Sequence, residues 1–204
     1  MANRPATVNR NKLRRKIRQQ RRQIPVNGQS LCANRLAQQL DRKRRQLNNR
    51  HVAVTLPSAG EIDTWPLITF LWSLGKISYL PVLLPFSQRR LWFSSCAKGD
   101  TLVYNRYGIL EPVRVHYRRI SVAALDLVLT PLVALDTLVR RPGTGSGYYD
   151  RRFQFLKQRQ FLRKSRITGL AYEFQRESHI KPEPWDIPLD ANGTEVRVYH
   201  CPAS

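Results

Sequence analysis

The sequence predicts an α/β fold: a three-layer, Rossmann-like sheet, mostly parallel, with helices on both faces. Short Val/Leu/Ile-rich segments alternate with amphipathic helical segments along most of the 204 residues, as right-handed strand–helix–strand crossovers require. Residues 127–134 (LVLTPLVA) are apolar with little alternation, which suits a central parallel strand buried on both faces. A glycine-rich loop follows that strand and precedes a helical segment. Open α/β sheets bind ligands at such places, outside the carboxyl ends of their strands.

The elements follow in chain order. Residues 1–8 are expected to be disordered, and the chain 1–204 to form a single domain. Leu13, Ile17 and Ile24 recur at near-helical spacing among Lys and Arg, which predicts a basic helix with a narrow apolar stripe. Pro25, Asn27 and Gly28 are expected to break it. Leu31, Leu36, Ala37 and Leu40 predict a second amphipathic helix. Residues 51–56 (HVAVTL) read as a strand. Asp63 or Thr64 caps the next helix, with Pro66 in its first turn and Gly75 near its end. Strands are expected at 77–82, 91–95, 127–134, 167–172 and 196–199. A helix is expected over 148–164, burying Phe153, Leu156, Phe161 and Leu162.

Composition bounds the functional classes. No apolar run is long enough to span a bilayer, and the charged N-terminus has no apolar signal core. Cys32, Cys96 and Cys201 form no CxxC pair; this argues against a disulfide framework or zinc site and for a reducing, cytoplasmic setting. The net charge of +21 is unevenly placed. Residues 1–50 carry 15 Lys/Arg against Asp41 alone, and residues 140–166 carry nine against Asp150 alone. If both blocks line one cleft, they make a strong anion-attracting field; most of these side chains are nonetheless expected on solvated helix faces.

The second basic block surrounds the glycine loop. Gly143, Gly145 and Gly147 alternate, flanked by Arg140, Arg141, Arg151 and Arg152. Closely spaced glycines let backbone N–H groups turn towards a ligand, and a helix start adds unpaired N–H groups and its dipole. The loop is neither a Walker P-loop nor GxGxxG. Taken alone, such a loop is equally a surface turn. The flanking arginines and the strand-to-helix context favour a polyanion site, and a nucleotide phosphate is the expected ligand.

PLVALD…RPGTGSGYYDR resembles the PLVAFD…RLGxGGGYYDR signature of the 5-formyltetrahydrofolate cyclo-ligases. Other blocks resemble the family in order along the chain. These are the basic opening KLRRKIRQQRR, TLPSAGEIDT at 55–64, GKISYLPVLLPF at 75–86, NRYGILEP at 105–112 and EPWDIPL at 183–189. The resemblance implies ATP-dependent closure of 5-formyltetrahydrofolate to 5,10-methenyltetrahydrofolate, with release of ADP and phosphate. The γ-phosphoryl group moves to the formyl oxygen, and N10 then attacks the activated carbon as phosphate leaves.

The resemblance also implies residue roles. Arg141, Tyr148 and Asp150 would be catalytic. Lys12 and Arg14 would reach the ATP phosphates from the opening helix, where a solvated face is the alternative. Arg141, Pro142, Gly143, Thr144, Gly145, Ser146, Gly147, Tyr148 and Tyr149 would complete the ATP site. Leu56 and Glu61 would contact the folate, together with Thr144, Gly145, Ser146, Gly147 and Tyr148. Asp150 and Asp186 would hold Mg2+, directly or through water. Asp136 is expected to shape the loop rather than to do chemistry. Pro142, Thr144, Ser146 and Val139 depart from the residues common in the family, and Pro142 removes one loop N–H.

The implied partner is a small-molecule folate, with polyglutamylated forms among the candidates, and with no membrane, no obligatory nucleic acid and a monomeric chain. Two alternatives remain at this point. One is a basic nucleic-acid-binding protein on the same fold, motivated by the N-terminal block. The other is a relative impaired in turnover by the loop departures.

Overall fold

The computed structural model describes residues 9–42, 49–58, 60–82, 92–105, 108, 110–113, 119–121, 124–136, 165–178, 180, 183, 186 and 189–200. The glycine loop, the helix expected over 148–164, residues 1–8 and Cys201 lie outside them.

Helix α1, Arg10–Arg22, starts where the Asn9 side chain accepts from the N–H groups of Asn11 and Lys12 at 3.0 and 3.2 Å, a regular N-cap. Its buried row is Leu13, Ile17 and Arg21, spaced by four. The third position is therefore an arginine, and Ile24 lies beyond the helix end, packed against the main core. Helix α2, Val26–Arg42, begins directly after Pro25. Asn27 and Gly28 sit inside it and do not break it. Only Pro25 punctuates, because it lacks an N–H but its carbonyl accepts from Gln29 N at 3.0 Å.

Strand β1 is His51–Val54 and helix α3 is Trp65–Ser73. Thr64 is the N-cap residue, but its hydroxyl donates to the Thr55 carbonyl at 3.0 Å; Asp63 Oδ1 accepts from Trp65 N instead. At the far end Gly75 has φ +68°. Lys76 N donates to Leu71 O and Gly75 N to Trp72 O, both at 3.0 Å, the paired bonds of a Schellman stop. A Cβ on Gly75 would meet nothing within 4 Å. Gly75→Ala is therefore expected to cost only the left-handed backbone penalty, about 1 kcal/mol. Chemical denaturation at unchanged m-value will check this.

The remaining strands are β2 Ile77–Val82, β3 Trp92–Cys96, β4 Leu102–Tyr104, β5 Leu110–Pro112, β6 Arg119–Ser121, β7 Leu127–Pro131, β8 Arg166–Leu170, β9 Ala191–Gly193 and β10 Val198–His200. With β1, seven of them form one eight-stranded sheet in the order β10-β9-β8-β7-β1-β2-β3-β6, while β4 and β5 make a separate hairpin. The run β9-β8-β7-β1-β2 is parallel, and its flanks are antiparallel. The fold is thus the mostly parallel α/β sheet the sequence predicts. Strand β7 ends at Pro131 rather than continuing to Ala134.

Alternate residues serve opposite faces. Val52 and Val54 of β1 and Leu127 and Leu129 of β7 join Leu36, Leu40, Leu67 and Leu71 of α2 and α3 in the main core. Ala53, Val128, Phe93 and Ile167 point the other way into a second cluster with Leu132, Leu135 and Leu189. No helix among the described residues is long and apolar enough to cross a membrane.

Candidate active site

Strand order changes direction between β1 and β7: β2 follows on one side of the pair and β8 on the other. In open α/β sheets ligands bind beyond the carboxyl ends of the strands at such a switch point. Three segments leave those ends, namely 55–64 after β1, 132–136 after β7 and 171–180 after β8. Helix α1 lies over them. Leu13 and Ile17 pack with Val133, Ala134 and Ile180. A Cβ on Gly60 would come within 3.2 Å of Arg21 Cβ.

A buried polar network joins these pieces. Arg21, 3% exposed, donates through Nε to Gln175 Oε1 at 3.3 Å and through Nη2 to the carbonyl of Leu132. Gln175 Nε2 donates to the carbonyls of Leu132 and Val133, both at 2.8 Å. Its Oε1 also accepts from Tyr172 N at 3.1 Å. Arg21 Nη1 lies 3.8 Å from Glu61 Oε1. Glu61 Oε2 accepts from the Ser58 N–H and hydroxyl at 3.1 and 3.3 Å. Burial pushes the Glu61 carboxyl above its ordinary range, against the pull of Arg21, the Ser58 bonds and Arg18. Burial likewise lowers Arg21, against the attraction of Glu61 and Tyr172. Desolvation thus outweighs attraction at both ends of this pair.

Along α1 runs a concavity of about 720 Å³, lined among the described residues by Asn11, Arg14, Arg15, Arg18, Gln19 and Arg22. These are one face of the helix at three- and four-residue spacing. Arg14 Nη1 donates to Asn11 Oδ1 at 2.9 Å. Four guanidinium groups on one concave face suit a polyanion.

Of the residues singled out in the sequence, Arg14 is in that concavity and Lys12 is exposed on the same helix. Glu61 is buried beside Arg21 at the strand ends. Leu56 is 3% exposed within the main core. Asp136 is buried, and its Oδ2 accepts from Ile180 N at 3.2 Å, so it shapes the segment after β7. Asp186 Oδ1 accepts from Arg10 Nη1 at 3.0 Å, and its Oδ2 from Glu183 N at 2.8 Å. Arg141, Pro142, Gly143, Thr144, Gly145, Ser146, Gly147, Tyr148, Tyr149 and Asp150 lie outside the described residues. Sequence reasoning missed Arg21 and Gln175. The signal for Arg21 was available, because it continues the Leu13–Ile17 row by another four residues.

The described residues contain no cluster of three or more His, Cys, Asp or Glu able to hold a metal. Magnesium does not need one, since it binds through one or two carboxylates together with phosphate oxygens and water. Asp186, paired with the basic start of α1, fits that use if Arg10 yields to a metal bound with phosphate.

The switch point of this α/β sheet, the guanidinium-lined helix and the buried carboxylate beside Arg21 make up the candidate site. Comparison with known proteins narrows the class. The model of the 5-formyltetrahydrofolate cyclo-ligase family matches residues 6–195. The 5-formyltetrahydrofolate cyclo-ligase of Escherichia coli K12 is 37% identical over 90% of this chain and 98% of its own. That of Haemophilus influenzae is 33% identical over 90% and 96%. The NMR structure of Aquifex aeolicus 5,10-methenyltetrahydrofolate synthetase superposes with a TM-score of 0.79 at 27% identity, covering 95% of this chain and 93% of that one. The chain belongs to the 5-formyltetrahydrofolate cyclo-ligase family, and it is an enzyme of that class.

Proposed function

We propose that this enzyme converts 5-formyltetrahydrofolate to 5,10-methenyltetrahydrofolate at the expense of ATP, releasing ADP and phosphate. What supports this, beyond family membership, is one arrangement. The helix bearing Lys12 and Arg14 and the loop bearing Glu61 meet at the switch point of the sheet, held by Arg21.

The chemistry divides between the two sides. A formamide oxygen leaves poorly, so it must first be phosphorylated; N10 then attacks the formyl carbon and phosphate departs. The protein's part is to hold the two substrates in line and to spread charge on the transferring phosphoryl group. Arg14 and its neighbours on α1 receive the phosphates, and Lys12 and residues 141–149 contribute the remaining ATP contacts that the family signature implies. Arg141, Tyr148 and Asp150 take the catalytic roles that the family signature implies. Asp150 and Asp186 would hold Mg2+, which would supply charge neutralisation at the phosphates. Glu61 receives N–H groups of the reduced pterin through Oε1, and Leu56 supports that wall from the core side. The chain acts as a monomer in a reducing cytoplasm, and the basic surface suits polyglutamylated folates.

The test is direct. Purified protein with MgATP and 5-formyltetrahydrofolate is expected to show a near-ultraviolet absorbance rise from the methenyl product. Omitting ATP or chelating the metal should abolish the rise. Folded protein that gives no product with metal present overturns the assignment. Tight RNA binding with a steep salt dependence, untouched by ATP, would point to the nucleic-acid alternative instead.

A further inference from the structure

We propose that Arg21 is a positioning residue of the reaction. Its guanidinium aligns the Glu61 carboxylate for the folate and at the same time anchors the phosphate-side helix to the Leu132 carbonyl, so both substrate sides share one cation. This rests on the assignment of Glu61 to the folate.

The geometry distinguishes the two oxygens of Glu61. Oε2 is tied by the Ser58 N–H and hydroxyl. Oε1 faces Arg21 Nη1 at 3.8 Å, beyond hydrogen-bond distance, and accepts no hydrogen bond among the described residues. The carboxylate is thus oriented on one side and left with acceptor capacity on the other. Arg21 supplies the countercharge without consuming that capacity, because its Nε and Nη2 are already engaged by Gln175 and Leu132. A buried ion pair is poor value as a stability device, since apolar side chains of similar volume replace it at little cost. Apolar replacements could not keep a buried carboxylate charged.

The guanidinium also links the two sides mechanically. It sits four residues after Ile17 in the buried row of α1, and it holds the first carbonyl after β7. A shift of α1 on binding phosphate is therefore felt at Glu61.

The groups facing Glu61 are Arg21 and Arg18 from α1 and Ser58 from its own loop; Tyr172 faces Arg21 from the segment after β8. Removing Arg21 removes an influence that lowers the Glu61 carboxyl. The ionised form is then lost at a higher pH as pH falls.

Steady-state constants for each substrate, their pH dependence and a thermal melt should be measured for Arg21→Met, Arg21→Lys and Glu61→Gln. In Arg21→Met, KM for 5-formyltetrahydrofolate is expected to rise about tenfold or more, as for a lost charge-assisted contact. KM for ATP should rise less. The acid limb of the folate profile should move to higher pH, because the lowering influence of Arg21 on Glu61 is gone. Arg21→Lys should restore the acid limb but only part of KM, because an ammonium cannot reproduce the planar fork. Wild-type folate KM and acid limb in Arg21→Met, with only a lower melting temperature, overturn the proposal. So does an equal rise in both KM values with no movement of the limb. If Arg21→Met does not fold, the same criteria apply to Arg21→Lys, where a folate KM at the wild-type value overturns it. Glu61→Gln separates the two levels: an unchanged folate KM there removes Glu61 from the folate site, whatever Arg21 does.

Discussion

Gly169→Ala is expected to destabilise the protein by roughly 2–4 kcal/mol, the upper range for overpacking a close-packed interior. The backbone angle is not the reason. Gly169 lies in β8, paired with Thr130 of β7 and Asn192 of β9. A Cβ there would stand 2.4 Å from Leu132 Cδ1, 2.7 Å from Leu132 Cγ and 2.4 Å from Asn192 Oδ1. Leu132 cannot move away cheaply. Its N–H donates to the Leu170 carbonyl at 3.0 Å, and its own carbonyl is held by Arg21 and Gln175. The strain therefore reaches the site. Thermal melting should show a loss of about 4–16 °C for a chain of this size, and KM for the folate should rise with it. Leu132→Ala alone removes buried carbons and costs stability by leaving a cavity. In the double variant the two changes should cost less than their sum, a coupling that a double-mutant cycle detects. Strict additivity would show that the close approach is relieved elsewhere.

That glycine also marks where sequence reading stops. The helices and the long central strands were legible because periodicity and burial agree in them. Leu36, Ala37 and Leu40 lie on one buried stripe, and residues 52–54 and 127–131 are buried on both sides. Strands β4, β5, β6 and β9 were not legible, since each has three residues, too few to show a period. Asn27 and Gly28 carry turn propensity, yet tertiary packing of α2 overrides it. Gly169 reads as an ordinary strand glycine until its neighbours across the sheet are known.

The site divides in the same way. Glu61 was reached through a motif resemblance, because no local pattern distinguishes it from any loop carboxylate. Arg21 was hidden by its company: one arginine in a helix with many reads as solvated surface. Its place four residues after Ile17 pointed to the buried row, and the fold shows that it is buried; burial changes its meaning. An exposed ion pair contributes little, whereas a desolvated one constrains everything it touches.

Glu61→Ala is expected to lower kcat/KM for 5-formyltetrahydrofolate about a hundredfold, the scale of a lost hydrogen bond to a buried charge, with KM for ATP changed far less. The variant also leaves Arg21 without its carboxylate, so the melt must be read beside the kinetics. Glu61→Gln separates the two effects, because it keeps the volume and an acceptor oxygen while discarding the charge. The raised carboxyl of Glu61 fixes the sign of its pH dependence. Between its unfolded and folded values the native state holds the proton that the unfolded chain has lost, so this group makes stability fall as pH rises through that window. Glu61→Gln should lack that decline. With Glu61 in its proposed role, binding runs the other way: the folate takes the ionised carboxylate, and KM should fall as pH rises through the same window. Stability and substrate affinity are thus expected to trade against each other on one titration. Parallel pH profiles of melting temperature and folate KM, with opposite slopes in the wild-type enzyme and neither slope in Glu61→Gln, will show it. Profiles that run together would mean that Glu61 supports the fold alone.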